Sequence, residues 1–446
     1  MMGKGLRSLG ARPGRWLLSG LLVVAMQAPV LAGSSDLVKI GAPADSTGVI
    51  RGAAASASAA PPARGVRERD RLFGDGRGVH EGLEGGAVYA GEVVRNLVGG
   101  IRRRSTYLDN VDLTLSLDLE KVLGWKQTTA FLYGLGNRGG DPSTFIGDAQ
   151  GSSNIEAADA WKVYEAWIEK RWGEDRVALR IGLYDLNSEF DVKEYGGFFL
   201  NSSHGIGADF SQSGLNGPSI FPTTSLGVTI KLQLTPAYYL QAVVLDGVPG
   251  GPAHPGIQVK PPVHQGALVT VEGGRRVGEE KGLPYAKWAV GAWSYTARFD
   301  ALAEVDSQGK PRRTRGNGGL YALAEAQVYR EKDAAQGLGL YGRVGFANPR
   351  INQFGMLVGG GAVYTGPFAR QSDQAGLGLT AVVNGPDYRD TNPGAEAAET
   401  NIELSYRLQV FPWLAVQPDF QYILNPGTDP ALDNAAVLTC RFETSF

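Results

Sequence analysis

Glu165 and Glu169 stand four residues apart in the segment Ala160 to Trp172, with Trp167 between them. Paired carboxylates are the acid and base of glycosidases. Four residues along a strand span roughly 13 Å, wider than such pairs usually stand. Charged residues lining a wet channel fit the spacing better. Gly134-Leu135-Gly136-Asn137-Arg138-Gly139 matches the dinucleotide fingerprint. That motif works only when a helix opens directly behind it, and here Gly140-Asp141-Pro142-Ser143 reads as loop. With 63 glycines in the chain, chance matches are expected. His80, His204, His254 and His264 form no HxH or HxxxH pair, and no GxSxG elbow occurs. The sequence therefore offers no catalytic constellation, no metal site and no cofactor. An envelope enzyme or a surface adhesin remains the competing class.

The elements around these residues read as strands. From Val111 to Leu119 every odd position is apolar and every even one polar. Leu226 to Leu234, Val177 to Leu183, Ile402 to Val410 and Leu338 to Phe346 repeat the theme, with Lys231 falling among the polar wall positions. Side chains of a strand alternate between faces, so each segment has one apolar and one polar face. A water-soluble β-sandwich shows the same period. Residues 157–172 contain good helix formers, but a Gly-Glu-Asp turn and another alternating run follow, favouring a strand. That strand puts Tyr164, Ala166 and Ile168 on one face and Glu165, Trp167, Glu169 and Arg171 on the other. Trp161 and Trp172 fall near its ends, where interfacial aromatics of a barrel sit.

The two ends of the chain choose between sandwich and barrel. Lys4, Arg7, Arg12 and Arg15 precede an apolar stretch from Trp16 to Val30, and Val30-Leu31-Ala32 offers small residues for cleavage. Residues 1–32 thus read as a secretory signal peptide, and Gly33 in place of cysteine excludes a lipoprotein anchor. Removing the segment leaves 39 basic against 45 acidic residues, so no basic excess exists to hold nucleic acid. The single Cys440 excludes an intrachain disulfide framework. No mature segment offers the apolar run of a membrane-spanning helix, so an integral membrane protein of this composition must be a closed barrel. At the other end, Leu438, Cys440, Phe442, Thr444 and Phe446 share one face of a final strand. A terminal aromatic there resembles the signal read by the outer-membrane barrel assembly machinery, with Thr444 departing from the usual hydrophobic residue.

Residues 33–86 read as a flexible low-complexity lead-in, built around Gly52-Ala53-Ala54-Ala55-Ser56-Ala57-Ser58-Ala59-Ala60-Pro61-Pro62. Residues 87–446 read as the barrel domain. At about 22 residues per strand and connection they accommodate about sixteen antiparallel strands. The expected fold class is all-β, a transmembrane antiparallel β-barrel in the outer membrane of a Gram-negative cell, in contact with its lipid and compatible with a homo-oligomer.

Several ordered pieces carry a family resemblance. Asn96 to Gly100, Leu119 to Trp125, Ser153 to Ala157, Arg180 to Phe190 and Pro412 to Pro426 are similar to stretches of the carbohydrate-selective porin (OprB) family, in order along residues 88–446. The resemblance implies a sixteen-stranded channel passing monosaccharides and small carbohydrates, such as glucose, by diffusion. A general porin or a polysaccharide-export channel is the alternative within the fold. Sugar hydroxyls need donors and acceptors, and an aromatic ring supplies a sliding surface. By strand parity, Glu165, Trp167, Glu169, Arg180, Arg343, Glu403 and Arg407 face the lumen. Asp185 and Glu189 leave their strand and enter the pore on a loop. The mixed signs of this set favour neutral solutes over ions of one charge.

Overall fold

The computed structural model describes residues 82–259, 266–278, 284–333 and 336–446. The signal peptide expected at 1–32, and all but the last five residues of the lead-in expected at 33–86, lie outside the described residues.

Sixteen antiparallel strands close into one barrel. They are β1 (Leu83–Val98), β2 (Ser105–Asp118), β3 (Thr128–Gly139), β4 (Ala160–Trp172), β5 (Val177–Tyr184), β6 (Ser225–Gln233), β7 (Tyr238–Asp246), β8 (Ala267–Val277) and β9 (Ala286–Tyr295), followed, after a separate hairpin of β10 (Phe299–Val305) and β11 (Pro311–Thr314), by β12 (Gly318–Arg330), β13 (Gly337–Ala347), β14 (Phe354–Thr365), β15 (Gln374–Asn384), β16 (Ala398–Phe411), β17 (Leu414–Leu424) and β18 (Ala435–Ser445). Barrel neighbours follow chain order, and β1 closes the ring against β18, with Glu92 opposite Arg441. The first strand begins four residues inside the stretch read as lead-in.

Alternation explains the ring. Each barrel strand carries a large apolar side chain exposed on the outer face, from Val93 on β1 (50% exposed) through Leu404 on β16 (58%) to Leu438 on β18 (45%). A water-soluble sandwich buries that set, whereas a membrane barrel presents it to lipid. At the end of the barrel holding Leu83 and Phe446 the connections are short: Pro412-Trp413 joins β16 to β17, and 173–176 joins β4 to β5. In that second turn Gly173, Glu174 and Asp175 all take left-handed backbone, matching the polar, glycine-led sequence. At the opposite end the connections are long, including 140–159, 185–224 and 296–317. Outer-membrane barrels put short turns in the periplasm and long loops outside.

Two expectations need adjusting. Residues 160–172 do form a strand, but Tyr133 pairs with Glu165 and Gly134 with Val163, so Tyr164 is an unpaired bulge residue. Instead of facing outward it is 2% exposed and packs edge-on against Tyr133 at 5.0 Å. The alternating run beginning at Val111 ends one residue early, because Leu119 opens the short helix α1 (Leu119–Leu123), capped by the Asp118 carboxylate.

The outer face yields a test. An arginine replacing an exposed surface leucine of a water-soluble protein usually changes stability by no more than ~0.5 kcal/mol. Leu404→Arg, at the middle of β16, is expected to cost about 2–4 kcal/mol in denaturant unfolding from lipid vesicles. No measurable change would contradict the assignment of this face to lipid.

Candidate functional site

Two of the long connections do not stay outside the barrel. The first, 140–159, and the second, 185–224, fold into the lumen and reach walls far from their own strands. A backbone crossing the lumen carries N–H groups that need acceptors, and inward glutamates supply them. Glu403 on β16 accepts from Leu200 and Asn201 N–H at 2.5 and 3.1 Å. Glu325 on β12 accepts from Glu194 and Tyr195 N–H at 3.0 and 3.1 Å. Glu272 on β8 takes the Asp191 N–H at 3.0 Å, and Glu165 on β4 takes that of Asp185 at 3.3 Å. For the first loop, Glu399 on β16 accepts from Ala149 and Gln150 at 2.7 and 3.0 Å. Glu92 on β1 holds the Ser153 hydroxyl at 2.7 Å and is paired with Arg441.

Arg343 on β13 completes the seat of the second loop. Its guanidinium pairs with Asp191, Nε donating at 3.0 Å, and with Asp209, while Lys193 donates to Asp191 Oδ1 at 2.8 Å. Burial opposes charge on Asp191, but Arg343 and Lys193 override it and hold the carboxyl below its ordinary value. Asp209 ends above its ordinary value, because burial outweighs the pull of Arg343. Under the loop lies an apolar core in which Phe210 stacks on Trp293 at 4.7 Å. Inward Gly376 and Gly378 on β15 leave room for Phe198 and His204, whose rings occupy the space a Cβ would take.

The expected site residues divide accordingly. Glu165, Trp167, Glu169, Arg180, Asp185 and Glu189 do come together, on β4, β5 and the start of the second loop. Arg180 donates to Glu169 Oε2 through Nε at 3.0 Å and Nη2 at 2.7 Å, and pairs with Glu189 at 3.1 Å. Its guanidinium carbon lies 3.9 Å from the Trp167 ring centre, and Phe131 stacks on the same ring at 5.0 Å. Trp167 Nε1 donates to Glu165 at 3.1 Å. Asp185 accepts the Asn187 N–H at 2.8 Å, shaping the turn that sends the chain inward.

Arg343 and Glu403 face inward as parity requires, but the second loop takes up their polar groups, Arg343 through Asp191 and Asp209 and Glu403 through the Leu200 and Asn201 N–H groups. They anchor that loop; Glu169 and Arg180 are as little exposed, at 2% and 8%, but pair with the exposed Arg171 and the half-buried Glu189. Arg407 lies with Gln409 and Glu443, away from the cluster. Sequence reasoning put Arg171 on the inner face but left it out of the site, where it donates to Glu169 Oε1 at 2.7 Å, and it passed over Tyr184, which donates to Glu189 at 2.6 Å. It also took Lys231 for plain wall, whereas this residue contacts Glu189. Parity alone signalled Arg171 and Lys231; nothing local signals that a loop glutamate returns to meet them.

This arrangement is a barrel narrowed by inserted loops, with a mixed-sign, aromatic-lined wall. Residues 102–446 match the model of the carbohydrate-selective porin, OprB family. The chain belongs to that family. It is similar to Porin B of Pseudomonas aeruginosa, with 28% identity over 402 residues, covering 80% of this chain and 86% of the relative. It is also similar to the putative porin QuiX of Acinetobacter baylyi, with 24% identity over 85% of this chain and 94% of the relative. Among solved structures, the high-pH form of Pseudomonas putida OprB superposes with a TM-score of 0.72 at 22% identity, over 82% of this chain and 94% of that one. Its low-pH form gives 0.53 at 20% identity, over 82% and 93%. The protein is thus an outer-membrane porin of the carbohydrate-selective family.

His204 makes the seated loop of this porin sensitive to acid. Its Nδ1 meets the Tyr341 hydroxyl, while its Nε2 lies 3.5 Å from Glu403 without a hydrogen bond to it. Burial, aided by Lys193, pushes the imidazole down to about 3 despite the nearby carboxylate, whose oxygens already accept two backbone N–H groups. An unfolded histidine titrates near ~6.5, so below that pH the released loop binds a proton that the seated loop does not. The stabilisation is complete above ~6.5 and declines as pH falls toward 3. Asp191 acts in the same direction, but only below ~4. Below pH ~6.5 amide protection in residues 198–206 is expected to fall relative to that in His204→Gln, by up to ~tenfold per pH unit. Equal slopes in the two proteins would remove His204 from this role.

Proposed function

We propose that the porin passes neutral monosaccharides such as glucose, and small oligosaccharides more slowly, past the cluster on β4, β5 and β6. The observation that carries this reading is Arg180, held between Glu169, Glu189 and the Trp167 ring. Carboxylates and guanidinium groups in one place accept from and donate to sugar hydroxyls, while the stacked Phe131 and Trp167 offer an apolar edge. Because the charges pair with one another, the site has no strong net sign and holds a neutral solute loosely enough for it to leave. Arg171, Lys231 and Glu189 are the more exposed members, with side chains 48%, 32% and 15% exposed, and make the first contacts. Export of a long polysaccharide is disfavoured, since two inserted loops occupy the lumen. The chain reaches its membrane through the signal at residues 1–32, and the assembly machinery engages the last strand and Phe446.

Liposome swelling decides the substrate class. Glucose is expected to enter faster than amino acids of similar size, and raffinose more slowly than glucose. Arg180→Ala is expected to change glucose entry more than Arg407→Ala, which lies outside the cluster. Equal entry of sugars and amino acids would make the protein a general porin, and equal effects of the two substitutions would move the site elsewhere.

A further inference from the structure

The lumen accounts for the inward charges but not for a group of arginines on the outside. The connection between β1 and β2 contains Arg102, Arg103 and Arg104, all exposed. Beside it, Arg95 on β1 lies on the outer face between exposed Val93 and Leu97, while Val94 and Asn96 are buried on the inner one. Arg138 near the end of β3 is likewise exposed, next to buried Asn137. All five belong to the long-loop end of three neighbouring strands. Among the described residues none of the five guanidinium groups is paired with a carboxylate. The acid nearest in register is Asp109 on β2, opposite Arg138, and it takes the Tyr89 hydroxyl at 3.3 Å.

Aromatic residues mark the depth of this group. Trp161, 52% exposed, covers Gly136 on the outer face, two residues before Arg138; a Cβ at Gly136 would meet its ring at 2.7 Å. Tyr107, 40% exposed, covers Gly91 on β1 in the same way. Such rings settle at the level of lipid headgroups. Outward arginines are costly at the middle of a bilayer and nearly free at its edge. Unpaired guanidinium groups at that level are forks for phosphate, which they bind with two parallel hydrogen bonds. Arg95 lies opposite Ser105 and Arg138 opposite Asp109 on the intervening strand, so the two are two strands and four residues apart, roughly 16 Å between backbones, a gap that two long side chains and a headgroup with two phosphates together span.

We propose that the outer rim of β1, β2 and β3 binds the phosphorylated headgroup of an outer-leaflet glycolipid through Arg95, Arg102, Arg103, Arg104 and Arg138. The site is outside the lumen and independent of the permeating solute. It fastens the strands flanking the β1–β18 closure to the lipid around them.

Detergent-solubilised porin can be titrated with bisphosphorylated lipid A, with the same lipid stripped of phosphate, and with inorganic pyrophosphate alone. The porin is expected to bind bisphosphorylated lipid A, to lose most of that affinity when phosphate is removed, and to bind pyrophosphate far more weakly. Arg103→Gln, in the exposed connection where no strand is disturbed, is expected to lose about fivefold in affinity. The combined Arg95→Gln, Arg103→Gln and Arg138→Gln variant should lose much more. Arg275→Gln serves as control: Arg275 packs over Tyr238 at 5.9 Å, at the short-turn end of β8, and should bind like the parent. Glucose entry should persist in every variant. Undiminished lipid binding by Arg103→Gln, an equal loss in Arg275→Gln, or pyrophosphate binding as tight as the lipid would overturn the proposal.

Discussion

A chain that runs through the inside of a barrel must find acceptors for its own N–H groups, and here the inward glutamates provide them. Glu165, Glu272, Glu325, Glu399 and Glu403 each take at least one loop N–H. A buried N–H left without its acceptor costs about 1–3 kcal/mol, so each of these bonds matters most for what its loss would leave unpaired. The bonds are distributed over β4, β8, β12 and β16, so the second loop is held from several sides. Lumen width follows from where these carboxylates stand, because they decide how far the loop reaches across.

Arg343 and its partners set the limits of that arrangement. A buried guanidinium is tolerated only with full compensation, and Asp191 and Asp209 both meet Arg343, while Lys193 pairs with Asp191 as well. Gly207 and Gly345 allow the approach, since a side chain at either would collide with the Arg343–Asp209 pair. The apolar core around Phe210 and Trp293 then fixes the loop without further charge. Loop and wall divide the interior: one side is packed like a protein core, and the other carries the pairs around Arg180.

The ring of strands was legible because lipid and water select one property each along every strand. Runs such as Val111 to Asp118 need no tertiary information to be read, and neither does the inward orientation of Glu169 or Arg180. A bulge breaks this logic: one additional residue at Tyr164 turns a side chain inward, and no residue type there announces it. The loop's path was not legible for a different reason. Leu200 meets Glu403 across 203 residues of sequence, and parity identifies an inward carboxylate without saying whether water or backbone meets it. Indirect signs existed. Phe190, Phe198, Phe199, Phe210 and Phe221 crowd a stretch that would otherwise be an exposed loop. Val243 and Leu245 interrupt the polar inner face of β7, and glycines occupy inner positions of β15 where the loop presses close.

Single-channel conductance of Glu403→Ala in planar bilayers tests most directly whether wall carboxylates hold the loop across the lumen. Loss of the acceptor for Leu200 and Asn201 should release the loop from β16 and give a larger, flickering conductance than the parent. Conductance and noise equal to those of the parent protein would contradict the anchoring role of Glu403.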